Sequence, residues 1–165
     1  MKIHFVLIGL FFTSLANAQN LKTDLHFGLS SATNEYQDFS TERGTSHNFG
    51  IGLGYTTQSN IIIGVSFDYE YIDISPSIEP NTDAIGLDVK LGYQMSDFSA
   101  YGLIGVKASS FEDSGFYGFG YGVGMQWDIS KDYGFNLQYK KYSLHNTDLL
   151  DYDYSTIGLN FLLLY

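Results

Sequence analysis

The sequence predicts an all-β fold, a closed antiparallel eight-stranded transmembrane β-barrel with up-and-down topology. The first observation is residues 118–125, where glycine alternates with Phe119, Tyr121, Val123 and Met125. Because successive strand residues point to opposite faces, one face of this segment is apolar and the other is bare backbone. The second observation is that eight segments of the chain alternate in this way. The third is that their connections are short and long in turn.

The N-terminal residues resemble a secretory signal peptide. Lys2 gives the positive start, residues 3–15 are mostly apolar, and Ala16-Asn17-Ala18 has the small-x-small pattern of a cleavage site. The apolar run is shorter than the ~20 residues that a membrane-spanning helix needs. We therefore expect a signal peptide at residues 1–18 and one barrel domain at residues 19–165.

Composition narrows the classes of function. The chain has 18 acidic and 8 basic residues and a net charge of −10, which disfavours nucleic acid as a partner. It has no cysteine, which excludes disulfides and thiolate metal sites. No cofactor or metal is expected. Eighteen glycines, 14 tyrosines and 13 phenylalanines against two prolines favour strands and turns over helices.

The first four predicted strands alternate clearly between a large apolar face and a small or polar face. They are predicted at residues 22–31, 45–56, 61–73 and 84–95. The apolar face of the first strand holds Leu25, Phe27 and Leu29, and that of the second holds Phe49, Ile51, Leu53 and Tyr55. In the third and fourth strands the apolar face consists of the odd-numbered residues, from Ile61 to Tyr71 and from Ile85 to Tyr93.

The last four strands are predicted at residues 100–109, 117–129, 134–144 and 155–165. The fifth has an ambiguous face because Leu103 and Ile104 are adjacent. The sixth carries the glycine row, which leaves room either for large side chains from across the barrel or for water. The seventh sets Phe135 and Leu137 against polar residues, and the eighth alternates from Ile157 to the last residue.

The connections alternate in length. Residues 57–60, 96–99 and 130–133 are short and polar, whereas residues 32–44, 74–83, 110–116 and 145–154 form longer segments. Short turns at one end and long loops at the other are typical of outer-membrane barrels. An even number of strands places both termini at the turn end, which we expect to be periplasmic.

Aromatic residues recur at two predicted depths. The descending strands end in Tyr55, Tyr93, Trp127 and Tyr165, and a second group consists of Tyr69, Tyr71, Phe119 and Tyr139. Two such levels predict the aromatic girdles of a membrane barrel. A soluble up-and-down barrel is the alternative. However, the residues opposite the apolar face are small or polar, and they would make a poor pocket for an apolar ligand.

The last ten residues resemble the carboxy-terminal assembly signal of outer-membrane barrels, with Gly158, Phe161, Leu163 and Tyr165 at the characteristic positions. With the signal peptide and the alternation over residues 22–165, the chain resembles the OmpA transmembrane-domain and OmpX/Ail/Opa-like superfamily. This resemblance implies insertion by the outer-membrane assembly machinery. Members of the superfamily anchor the membrane, adhere, leak small solutes or, occasionally, modify lipids.

Charged residues on the inward face predict a polar network. These residues are Asp68, Glu70, Asp88, Lys90, Asp128 and Lys140. Since an eight-stranded barrel is only wide enough for its side chains, and a buried unpaired charge costs several kcal/mol, these charges are expected to pair. We expect a plug centred on Asp68, Asp88, Lys90 and Lys140. The alternative is a narrow, low-conductance, cation-preferring pore.

The long connections are acidic. They hold or border Glu35, Asp38, Glu42, Asp73, Glu79, Asp83, Glu112, Asp113, Asp148, Asp151 and Asp153. We expect a solvated surface that shares divalent cations with lipopolysaccharide; the alternatives are a cationic partner and a weak calcium site at residues 148–153. The loops also hold apolar residues that we expect to extend the strands above the membrane and pack on each other; the alternative is that they anchor an extracellular protein partner. These residues are Tyr36, Phe39, Leu149, Leu150, Tyr152 and Tyr154.

The sequence favours a non-catalytic structural and surface-interaction scaffold. A lipid A-modifying hydrolase is the second alternative, because some lipid A deacylases carry a His-x-Ser pair near the outer leaflet. Here Ser143 precedes His145 and Thr147 holds the serine position, which departs from that pattern. Lys107 and Lys141, near the upper ends of their strands, would reach lipid phosphates or simply extend toward water.

Overall fold

The computed structural model of the chain describes residues 21–36, 41–74, 82–111, 114–146 and 151–165. Its eight strands are β1 (Leu21–Tyr36), β2 (Thr41–Thr56), β3 (Ile61–Ile74), β4 (Thr82–Met95), β5 (Phe98–Phe111), β6 (Ser114–Asp128), β7 (Tyr133–His145) and β8 (Asp151–Leu164). Each strand pairs antiparallel with the next, and β1 pairs with β8 to close the barrel. The predicted fold class is confirmed. Within the described residues, no helix is long and apolar enough to cross a membrane.

The strands match the predicted bounds at the turn end and are longer than predicted at the loop end. Strand β2 ends at Thr56 and β4 at Met95, as expected, but β1 continues to Tyr36 and β8 begins at Asp151. The backbone ladder between β1 and β2 continues to Glu35, beyond the last apolar outward residue. The predicted long connections are therefore partly strand, because backbone hydrogen bonds outlast the apolar alternation from which the strands were predicted.

Two short turns explain why the chain reverses cleanly at the turn end. Met95 pairs with Phe98, which leaves Ser96 and Asp97 as a two-residue hairpin. Ser96 has a φ of 57° and Asn60 a φ of 63°, the left-handed conformation that such turns require. In the β2–β3 turn the Thr57 N–H donates to the Ile61 carbonyl at 2.8 Å.

The register fixes the tilt of the strands. Following paired residues around the barrel from Phe98 leads back to β5 at Ala108, ten positions further along the strand. With standard strand spacings, eight strands and this stagger give a tilt of about 40°. A barrel of this size has an interior that its own side chains fill.

The two faces of the barrel differ in polarity. In seven strands the even-numbered residues point inward, but in β5 the odd-numbered ones do, so that Leu103 is buried and Ile104 is exposed. The outward face is almost continuously apolar, and Phe119 is 78% exposed. A soluble monomer rarely exposes an apolar surface of this extent, whereas a membrane barrel presents it to lipid.

The predicted aromatic residues lie at two levels. From the register and standard spacings, the lower group (Tyr55, Tyr93, Trp127 and Tyr165) lies within roughly 5 Å of one depth at the turn end. The upper group (Tyr69, Tyr71, Phe119 and Tyr139) lies roughly 15–25 Å above it, a distance comparable to the apolar band of outer-membrane barrels.

Candidate functional site: the polar lumen

The centre of the lumen holds one lysine between two carboxylates. Lys140 Nζ lies 2.7 Å from Asp88 Oδ2 and 3.2 Å from Asp68 Oδ2. The Tyr142 hydroxyl donates to the other oxygen of Asp88 at 2.6 Å. Asp88 is completely buried. The structure therefore brings together three of the four residues around which the sequence centred the plug.

A histidine that the sequence did not single out extends this cluster toward the turn end. His26 Nε2 lies 2.6 Å from Asp68 Oδ1, and its Nδ1 lies 2.8 Å from Asp24 Oδ1. Both ring nitrogens thus face carboxylates, and the side chain is buried. Its position on the inward face of β1, one residue before Phe27, was the signal that would have placed it in the lumen.

A second ion pair lies above the first. Lys107 Nζ pairs with Glu70, which also accepts a hydrogen bond from the Ser46 hydroxyl. The ammonium lies 4.8 Å from the ring centroid of Tyr142 and 4.6 Å from that of Tyr154. The interpretation of Lys107 as a lipid-facing residue is wrong, because the side chain is only 4% exposed. The ambiguous face of β5 concealed it.

Lys90 and Asp128 lie nearer the turn end than the central cluster. Lys90 forms no ion pair with any described residue, and its Nζ lies 5.4 Å from the ring centroid of Tyr101. It therefore faces the lumen, as expected, but below the network in which the sequence placed it. Asp128 pairs with Lys22 at 2.7 Å and accepts from Gln126 at 2.7 Å.

The lumen is open to a small polar cavity at the turn end. The cavity offers about 60 Å³ of space for water centres and is lined in part by Asp24, Lys90, Tyr101 and Asp128. This volume holds several waters, since one water needs on the order of 10–15 Å³ by that measure. We call this cavity the vestibule.

The loop end of the lumen is closed by apolar side chains. This apolar cap consists of Ala32, Ile72, Ala84, Phe116, Tyr142, Leu144 and Tyr154, all buried and in contact as one cluster. Ile72 lies two positions beyond Glu70 on β3, and Leu144 four beyond Lys140 on β7, so the cap lies on the loop side of the ion pairs. Sequence reasoning missed it because Ala32, Phe116 and Tyr154 were assigned to connections.

The glycine row of β6 makes room for two tyrosine rings. A Cβ at Gly120 would lie 2.2 Å from Tyr142 Cδ1, and one at Gly124 would lie 2.5 Å from the Tyr101 hydroxyl. The Tyr101 hydroxyl accepts from Asn136 and, at 2.9 Å, from Gln138. Large side chains, one of the two predicted alternatives, occupy this space, but they come from the neighbouring strands and not from across the barrel.

The outer surface near the loop end carries the residues of the hydrolase hypothesis. The Ser143 hydroxyl donates to Asp153 Oδ1 at 2.7 Å, and Lys141 Nζ lies 2.8 Å from Asp153 Oδ2. The hydroxyl proton is thus directed at a carboxylate that already has a cationic partner. Thr147 lies outside the described residues.

Part of the predicted acidic surface is visible as a rim at the loop end. Glu35, Asp73 and Asp83 are exposed, and Asp83 accepts a hydrogen bond from the Tyr69 hydroxyl at 2.7 Å. Eight of the other predicted loop residues lie outside the described residues: Asp38, Phe39, Glu79, Glu112, Asp113, Asp148, Leu149 and Leu150. The predicted calcium site includes Asp148, so it lies partly outside the described residues.

Three of the four residues of the predicted assembly signal lie on β8, and Tyr165 directly follows the strand. Gly158 points inward, whereas Phe161 points outward with its ring centroid 5.3 Å from that of Phe27 and 5.5 Å from that of Phe135. Leu163 shares the outward face, and Tyr165 is exposed at the turn end. The apolar outward side of this segment therefore packs against outward aromatic residues of β1 and β7.

Comparison with known proteins gives a family and a set of similar folds. Residues 4–163 match the family model described as the outer membrane protein beta-barrel domain. No curated protein is similar enough in sequence to count as a match. Neisserial surface protein A has a TM-score of 0.68 at 12% identity, over 86% of this chain and 96% of that one.

Two further structures share the fold. Ail of Yersinia pestis, in complex with the heparin analogue sucrose octasulfate, has a TM-score of 0.55 at 15% identity, over 89% of this chain and 100% of that one. The outer membrane enzyme PagL has a TM-score of 0.51 at 10% identity, over 85% of this chain and 98% of that one. At these identities the comparisons carry the fold alone.

Proposed function

The chain belongs to the outer membrane protein beta-barrel domain family, and we propose that it acts there as a structural and surface-interaction scaffold without catalytic activity. The observation that carries this proposal is the filled lumen. Ion pairs occupy its centre and an apolar cap occupies its loop end. A barrel that passes no solute interacts with its surroundings through its lipid face and its rim.

The pore remains the alternative function, and the vestibule is the feature that favours it. This cavity admits water at the turn end and contains Lys90, a cation without an ionic partner among the described residues. However, the buried pairs beyond it would have to separate before an ion could pass. Separating a buried pair is strongly unfavourable, about 3–5 kcal/mol when one partner is lost.

The rim supports a role at the outer surface. Its exposed carboxylates Glu35, Asp73 and Asp83 suit divalent cations shared with lipopolysaccharide, or a cationic region of an extracellular protein. Ail binds a sulfated heparin analogue, but a polyanion of that kind is repelled by an acidic rim. The expected partner is therefore cationic or bridged by cations.

The contacts of Ser143 disfavour this serine as a nucleophile. A serine nucleophile needs a base that accepts its proton, usually a histidine. Here the Ser143 hydroxyl donates to Asp153, whose second oxygen faces Lys141. The similarity to the enzyme PagL, at 10% identity, carries the fold alone.

This proposal includes an orientation. The turn end and both termini face the periplasm, residues 1–18 are removed, the assembly machinery inserts the barrel, and the acidic rim faces outward. The chain has no cysteine, so single cysteines introduced at the two ends report their accessibility without background. Asp73 is exposed at the loop end and Gln58 at the turn end, and they form a matched pair.

We predict that Asp73→Cys is labelled on intact cells by a membrane-impermeant maleimide. Gln58→Cys should be labelled only after the outer membrane has been permeabilised. Heat-modifiable gel mobility of both variants controls for folding. Labelling of Gln58→Cys but not Asp73→Cys on intact cells would overturn the proposed orientation and, with it, the outward presentation of the rim.

A further inference from the structure

We infer that the lumen is closed by two barriers in series, an ion-pair layer and the apolar cap, and that either barrier alone suffices to block ions. The ion-pair layer consists of Asp68, Glu70, Asp88, Lys107 and Lys140. This inference rests on the proposed closed barrel and specifies how the closure is built. The vestibule is then a blind chamber that exchanges water and small solutes with the turn end only.

The ion-pair layer blocks the lumen by occupying its width. Its lysines come from β5 and β7, and its carboxylates from β3 and β4. Lys140 pairs with Asp68 and Asp88. Lys107 pairs with Glu70, and its ammonium lies 4.8 and 4.6 Å from the centroids of two tyrosine rings. The polar ends thus meet in the middle of the barrel, where an eight-stranded interior has space only for side chains.

The apolar cap blocks the lumen by a different mechanism. Ile72, Phe116 and Leu144 have no polar groups, and they lie in one buried cluster drawn from six of the strands. An ion that passes these three side chains must shed its water without gaining a ligand from them. Hydrophobic constrictions close pores in this way, independently of any charge pairing.

The order of the two barriers follows from the positions of the residues. Along β3 the sequence from the turn end is Asp68, Glu70 and then Ile72. The vestibule, by contrast, is lined by Lys90 and by residues close to the turns. Rearranging the ion pairs would therefore connect the vestibule only to the underside of the cap.

The test compares three variants in planar bilayers. The ion-pair variant carries Glu70→Ser, Asp88→Ser, Lys107→Ser and Lys140→Ser. These substitutions remove two charges of each sign, so the net charge of the lumen does not change. The cap variant carries Ile72→Ser, Phe116→Ser and Leu144→Ser. The third variant combines both sets. A control carries Gln94→Ser and Gln126→Ser, which change the lining of the vestibule and leave the residues of both barriers unchanged.

We expect the ion-pair variant, the cap variant and the control to be as silent as wild type. The combined variant should conduct, with an ion current at least about tenfold above that baseline. Current through the ion-pair variant alone, or through the cap variant alone, would overturn the inference, as would silence of the combined variant. Current through wild type would instead overturn the proposed scaffold function.

Folding is measured separately for every variant by the mobility shift between boiled and unboiled samples. A second set, with alanine in place of serine at all seven positions, repeats the comparison where a serine variant does not fold. The same outcomes count for and against the inference in this second set.

Discussion

At the scale of single residues, Lys107 shows how strongly a closed lumen constrains a charge. Its side chain is 4% exposed, it pairs with Glu70, and it lies between two tyrosine rings. Lys141 is a natural comparison, because it pairs with Asp153 on the outer surface and keeps 29% of its side chain exposed. Burial, and not the presence of an ion pair, is the difference between them.

We predict that Lys107→Met destabilises the barrel by about 3–5 kcal/mol, because Glu70 is then left buried without its partner. Lys141→Met should cost no more than about 1 kcal/mol, because exposed ion pairs contribute little. Urea titration of the protein folded in lipid vesicles, followed by tryptophan fluorescence, measures both. Equal effects of the two substitutions would contradict the buried position of Lys107.

A double variant separates the loss of the pair from the loss of the lysine. Glu70→Gln with Lys107→Met removes both charges, and we expect it to recover most of the stability that Lys107→Met loses. The physical reason is that an unpaired buried charge is costly, whereas a neutral pair of similar size is not. A double variant as unstable as the single one would show that packing, not charge, governs this site.

At the scale of the strands, the inward glycines of β6 leave space that side chains of the neighbouring strands fill. Gly124 lies against the Tyr101 ring from β5, and Gly120 lies against the Tyr142 ring from β7. Tyr101 in turn accepts hydrogen bonds from two amide side chains of β7. The outward face of the same strand presents large apolar residues, so one strand serves both lipid contact and lumen packing.

We predict that Gly124→Ala destabilises the barrel by about 1–3 kcal/mol, because its Cβ would lie 2.5 Å from Tyr101 atoms that two hydrogen bonds hold in place. Gly102→Ala on the outward face of β5 is the matched control, since the nearest atom to its Cβ is 4.0 Å away. The control should be neutral or slightly stabilising. The same urea titration compares the two, and a control that is the more damaging would refute this role of β6.

The limits of prediction from the sequence also lie at this scale. Alternation placed all eight strands because lipid imposes one polarity on every outward residue. It failed beyond the lipid, where β1 and β8 continue as backbone ladders without an apolar face. It also left the face of β5 open, since Leu103 fits the lumen beside Gly122 as well as Ile104 fits lipid. That single ambiguity concealed Lys107.

At the scale of the whole molecule, the barrel is asymmetric along its axis. The turn end is open and polar, with the vestibule and the Lys22–Asp128 ion pair, while the loop end is sealed by the apolar cap beneath an acidic rim. The outward apolar surface between the aromatic levels is comparable in height to the apolar band of outer-membrane barrels. This asymmetry agrees with the proposed function, in which the barrel spans the membrane and presents a surface without carrying solute across.

The most direct test of this account is a planar-bilayer recording of the wild-type barrel, with its folded state verified by the gel mobility shift on boiling. The account predicts a silent barrel, with no steady conductance above that of the bilayer alone. Discrete, cation-preferring conductance steps from folded protein would contradict the closed lumen and establish the small pore in its place.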